Sequence, residues 1–143
     1  MSLEQEKIDL ARYRLSKADE RIKAACGMLD LSLYADAIGR SYYAIFTSTR
    51  ALLALLGLDS EKHSGIISFF NRYWVKTGIM PKESSVIIAD AKRDREASDY
   101  SDYVEFTCEE AEAQLAQAKE FIRQTREVVE KAISGDISLP KVE

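Results

Sequence analysis

Ile8, Ala11, Leu15, Ala18, Ile22, Ala25 and Leu29 recur at intervals of three and four without a break. That spacing keeps the apolar side chains on one stripe of an α-helix and would scatter them over both faces of a strand. The same rhythm returns near the other end in Ala111, Leu115, Ala118, Ile122, Thr125, Val129 and Ala132. Both seams alternate small with large residues, which suits two helices packed closely as antiparallel neighbours. Only Pro81 and Pro140 punctuate the chain, and β-branched alternation is absent. The predicted fold class is therefore all-α, an up-and-down bundle of four to five helices. Its 143 residues make one domain over residues 1–133. In residues 134–143 the period is lost, which predicts a loose tail.

Local signals place the helices between the two seams. Thr107 with Glu110 predicts a capping box for the last helix, and Ser2 with Gln5 one for the first. A second helix runs from about residue 33 to 56. Tyr42, Tyr43, Ile45, Phe46, Leu52, Leu53, Leu55 and Leu56 cover most of its circumference. A helix apolar nearly all round is central, or is shared between a core and a subunit interface, so a homodimer is expected. Gly57 supplies its stop. A third helix is predicted over about 64–76, with Ile66, Ile67, Phe70, Tyr73 and Trp74 as its apolar face. The fourth opens at Pro81 and runs to about residue 97, carrying Val86, Ile87 and Ala91.

Composition narrows the function classes. An apolar share of 46% with 31% charged residues is that of a folded, soluble domain. No run of about 18 apolar residues occurs, so no membrane span is expected. The charged, amphipathic start of the chain reads as that of a cytoplasmic protein. Cys26 and Cys108 lack metal-ligand spacing and read as reduced thiols. No cofactor motif and no metal box is present. A net charge of −4 argues against gripping nucleic acid by bulk electrostatics alone.

Three clusters can carry chemistry. Residues 95–103 pack Arg95, the carboxylates Glu96, Asp99 and Asp102, and the phenols Tyr100 and Tyr103 into nine positions where the helical period fades. The part beyond the fourth helix, with Asp99, Tyr100, Asp102 and Tyr103, is expected in a loop that projects into a groove. The alternating charges of residues 92–96 equally suit a solvated helix end. On the second helix Asp36, Arg40, Tyr43, Thr47 and Arg50 share one face. That face is either a solvated strip with an Asp36–Arg40 pair, or the wall of a polar groove with Arg40 as an anion contact. His63, the only histidine, opens the third helix. It is a structural partner for a carbonyl or carboxylate, or a phosphate contact beside free backbone N–H groups.

With these segments in hand, the chain resembles the HEPN superfamily of prokaryotic helical domains, in its stand-alone form often encoded beside a minimal nucleotidyltransferase. The resemblance rests on residues 37–46, with Arg40, Tyr42, Tyr43 and Phe46; on residues 62–67, with His63; and on residues 76–78 and 95–103. It implies a bundle that pairs into a homodimer. It also implies a toxin-like component of a two-component system, with a nucleotidyltransferase as partner protein. Many members are ribonucleases, and others bind RNA or nucleotides without cleaving them. Ribonuclease members carry an arginine, four to six residues and a histidine. Here the first candidate position after Arg95 holds Tyr100, and a phenol is a poor general base at neutral pH. The reading is thus an RNA- or nucleotide-binding, toxin-like domain whose ligand-binding residues are Arg40, Tyr43, His63, Arg95, Asp99, Tyr100 and Tyr103. The alternatives are an active ribonuclease using Arg95 with Tyr100 or His63, and a purely structural bundle.

Overall fold

The computed structural model describes residues 4–100 and 102–143. Five α-helices follow in order: α1 Gln5–Asp30, α2 Tyr34–Leu55, α3 His63–Phe70, α4 Glu83–Tyr100 and α5 Cys108–Ser134. A π turn, Asn71–Val75, continues α3. The proposed Ser2 cap lies outside the described residues. Glu4 holds the N-cap position of α1 and makes no side-chain cap.

The second helix is central, as its composition requires. Fourteen residues of α2 are buried, and α1, α3, α4 and α5 all pack against it. Its apolar circumference is satisfied within one chain, so that circumference gives no reason for α2 to form a subunit interface. The seam of α1 lies chiefly along α2, with α5 as its second neighbour. Ala18, Ala44 and Ile122 meet where α1, α2 and α5 converge, and the two alanines permit the close approach. Arg12 pairs with Glu130 at 3.2 Å and Asp19 with Arg126 at 2.6 Å. As numbering rises along α1 it falls along α5, so the two are antiparallel. These pairs are half-exposed and contribute only about 0–1 kcal/mol each. Apolar burial holds the seam. All seven expected α5 seam residues are buried.

The capping box of α5 forms as expected. The Thr107 hydroxyl accepts from the Glu110 N–H at 3.1 Å, and the Glu110 carboxylate accepts from the Thr107 N–H at 3.1 Å. At the other end Gly135 adopts φ 86°, the left-handed conformation that stops the helix.

Four expectations fail in detail. The third helix is not α throughout: the Lys76 N–H bonds the Asn71 carbonyl, five residues back, at 2.8 Å. The widened turn puts both Tyr73 and Trp74 in the core beside Phe70. Val86 is 57% exposed, and the inward stripe of α4 is Ser84, Ile88 and Ala91. The helix also runs on past residue 97 to Tyr100, so Asp99 and Tyr100 are helical and not in a loop. The tail is not loose along its length. Ile137 and Leu139 pack on the core, and Glu143 pairs with Arg72 at 2.8 Å.

Candidate functional site

The inward stripe of α4 continues by one more step. Ser84, Ile88 and Ala91 are followed, four residues on, by Arg95, so a guanidinium stands where the period calls for an apolar side chain. Its side chain is only 21% exposed. The guanidinium carbon lies 5.0 Å from the centroid of the Tyr43 ring, a cation–π distance. Asp99, one turn on, accepts from Arg95 Nε at 3.0 Å. Among the described residues no ion pair or hydrogen bond engages the two terminal amino groups of Arg95.

His63 meets the same tyrosine from α3. Its ring stacks on Phe46 at 4.1 Å and 23°, and it stands edge-on to Tyr43 at 6.2 Å. Nδ1 lies 2.8 Å from the Tyr42 hydroxyl. Tyr42 is fully buried, and burial pushes its phenol well above the usual range, with Tyr43 adding to the effect. The phenol therefore keeps its proton, and among the described residues only His63 can accept it. So Tyr42 O–H donates to Nδ1, which assigns the ring proton of neutral His63 to Nε2. Burial holds His63 below its ordinary 6.5, and the charges of Arg95, Lys92 and Arg50 lower it further against an opposing pull from Glu96. At neutral pH the ring offers an N–H donor and not a free lone pair.

The segment before α3 fixes this geometry. Gly57, at φ 69°, turns the chain out of α2. Asp59 then pairs with Arg50 at 3.3 Å and Arg14 at 3.9 Å, tying the loop to α2 and α1. Arg50, expected in the polar stripe as a possible groove residue, is committed to that pair. Ser60 packs directly beneath Gly65, where an added Cβ would meet its Oγ and approach its Cβ to 2.8 Å. Gly65→Ala is expected to displace the loop that seats His63 and to cost about 1–3 kcal/mol in urea melts. An unchanged midpoint would show that Ser60 yields freely.

From Ser64, next to His63, a groove of about 520 Å³ runs between α3 and α4, lined also by Ile67, Asn71, Lys92, Arg93 and Glu96. Of the residues singled out in the sequence, Tyr43, His63, Arg95 and Asp99 come together. Arg40 is exposed one turn before Tyr43, and the Asp36–Arg40 pair is not among the ion pairs of the described residues. Tyr100 and Tyr103 do not join the cluster. Tyr100 is five residues past Arg95 on a helix, hence about 140° round it, and is 77% exposed. Tyr103 is fully exposed at φ 67°. Tyr42 and Phe46 read in the sequence as plain core, yet they hold the histidine.

No helix among the described residues is long and apolar enough to cross a membrane. The family model described as "HEPN domain" matches residues 11–129. A Methanocaldococcus jannaschii protein named "Putative toxin MJ0605" is 34% identical over 81% of this chain and 86% of its own length. A second from that organism, "Putative toxin MJ0142", is 30% identical over 78% of this chain and 76% of its own. A Thermotoga maritima "UPF0332 protein" is 33% identical over 87% of this chain and 95% of its own. With most of both partners aligned in each case, and the family model spanning α1 to α5, the chain belongs to the HEPN family.

Proposed function

We propose that this chain is the toxin-like component of a two-component system, and that it binds RNA or a nucleotide through Arg95, His63 and Tyr43. The observation that carries this is the placement of Arg95 on the inward stripe of α4, over Tyr43 and beside a neutral histidine. A guanidinium whose two amino groups have no partner among the described residues suits a phosphate. The His63 Nε2–H adds a donor, and Tyr43 offers an aromatic face for a base. Arg40, exposed one turn before Tyr43, serves as an outer contact for a longer strand. The names of the two Methanocaldococcus relatives support the toxin assignment.

The test is binding of labelled single-stranded RNA to the purified chain. Arg95→Ala is expected to weaken it by about 1.5–3 kcal/mol, or roughly 10- to 150-fold. Tyr100→Phe should bind as the wild type does. No binding at all would leave the purely structural reading.

A second reading, a metal-independent ribonuclease, gains from His63 lying against the same tyrosine as Arg95. Arg95 would stabilise the phosphorane, but a general base needs a lone pair on Nε2, and the Tyr42 hydrogen bond puts a proton there. RNA cleavage abolished by both Arg95→Ala and His63→Gln would establish this reading over the first. Partner control by a minimal nucleotidyltransferase is tested by co-purification with the protein of the neighbouring gene. A homodimer is part of the proposal, and light scattering at 16.1 kDa would reject it.

A further inference from the structure

Beyond Asn71 the groove between α3 and α4 opens into a larger chamber of about 980 Å³. The π turn and the first turn of α4 face each other across it. Arg72, Lys76 and Lys82 line it, with the hydroxyls of Ser68 and Ser85. Three cations around one concavity stand out on a chain of net charge −4. Neither Lys76 nor Lys82 has an ion-pair partner among the described residues.

One anion already sits there. Glu143 Oε2 lies 2.8 Å from Arg72 Nη2, and the Glu143 N–H donates to the Tyr73 hydroxyl at 3.4 Å. The chain reaches this point by laying Ile137 and Leu139 on the core. A single carboxylate answers Arg72 but leaves both ammonium groups unmatched. Asn71 lines both chambers, and its buried side-chain oxygen accepts no hydrogen bond from the described residues. An acceptor in that position needs a donor that bare phosphate lacks and a ribose hydroxyl or a base amino group has. The lysines supply the point charges that suit phosphate oxygens. The volume falls within the range of small-ligand clefts, about 300–1,000 Å³.

We propose that this chamber binds an oligophosphate group, carried by a free nucleotide or by an RNA strand, and that Glu143 occupies it in competition with that ligand. Neither Arg95 nor His63 lines the chamber, so the inference stands apart from the reading above.

Inorganic tripolyphosphate and ATP are titrated calorimetrically into the full chain at low salt, and labelled single-stranded RNA is followed by anisotropy. Replacing Lys76 and Lys82 together by alanine is expected to weaken tripolyphosphate and ATP binding about tenfold or more. Both lysines are exposed, and circular dichroism confirms that the variant folds. Glu143→Gln is expected to tighten both ligands severalfold, and an unchanged affinity rejects the competition. Arg95→Ala should leave tripolyphosphate binding as it is. RNA binding that depends on the lysine pair assigns the chamber to a strand, and ATP binding alone assigns it to a free nucleotide. Failure of all three probes, or binding indifferent to the lysine pair, overturns the proposal. RNA binding lost in Arg95→Ala but not in the lysine variant, with no lysine-dependent binding of tripolyphosphate or ATP, rejects this chamber and keeps the earlier reading. Tripolyphosphate binding that needs the lysines, with no RNA binding, does the reverse.

Discussion

Phe121→Ala should destabilise the protein by about 3–5 kcal/mol, a large share of the roughly 5–15 kcal/mol that holds a domain of this size folded. Phe121 has no exposed surface, and its ring lies 5.7 Å from that of Phe70 at 47°. It thus joins α5 to the end of α3, just before the π turn. Truncation removes apolar area and also an aromatic contact that the surrounding helices cannot collapse to replace. The matched comparison is Val86→Ala, which removes less side chain from a site 57% exposed. That change should stay within about 0.5 kcal/mol of the wild type. Denaturant midpoints measured on both variants decide the matter, since equal losses would contradict the core assignment of Phe121 and the outward placement of Val86.

His63→Ala should cost about 2–4 kcal/mol, because it removes the stack on Phe46 and strands the buried Tyr42 hydroxyl without an acceptor. His63→Phe separates the two contributions by keeping a ring while losing the hydrogen bond. Adding Tyr42→Phe to either variant should recover the part due to the stranded hydroxyl. An additive double variant would show that the two side chains do not interact. Acid should expose the same pairing. Burial, then Arg95, Lys92 and Arg50, hold the folded-state histidine below its ordinary 6.5, while Glu96 pulls the other way. Around and below that value the unfolded chain binds more protons than the folded one, so stability falls as pH drops through it. Above it both states are neutral and the contribution is fully present. His63→Gln should lose this part of the pH dependence, and an identical slope in wild type and variant would exclude His63 as its source.

Much of this architecture was legible because apolar side chains wrote the period. The α1 and α5 seams, and the Thr107–Glu110 box, depend on local spacing that survives in the folded chain. The end of α4 was hidden for the opposite reason. Its inward position is filled by Arg95, and no apolar residue follows to carry the stripe, so the last turn of the helix read as a loop. That misreading also promoted Tyr100, which a loop could aim at a groove but the helix turns aside. The π turn left no mark on the sequence, since Tyr73 and Trp74 fit either helical geometry until their packing with Phe70 is known. At the site, Tyr43, His63, Arg95 and Asp99 were visible as polar or charged groups in unexpected places. Tyr42 and Phe46 were not, because an aromatic residue on a helix apolar all round gives no hint that one of its atoms is spoken for.

The central position of α2 has a consequence for amide hydrogen exchange. Because α1, α3, α4 and α5 each cover part of it, opening any one of them leaves the others in place. Its amides should exchange only through global unfolding and be the slowest in the molecule. Tyr42, Tyr43 and Phe46 therefore belong to the most protected helix. Arg95 and Asp99 sit on the last turns of α4, where helix ends open most easily. The candidate site is thereby divided between a fixed wall and one that can open, and a ligand bridging Tyr43 and Arg95 should register as slowed exchange along α4 with α2 unaltered.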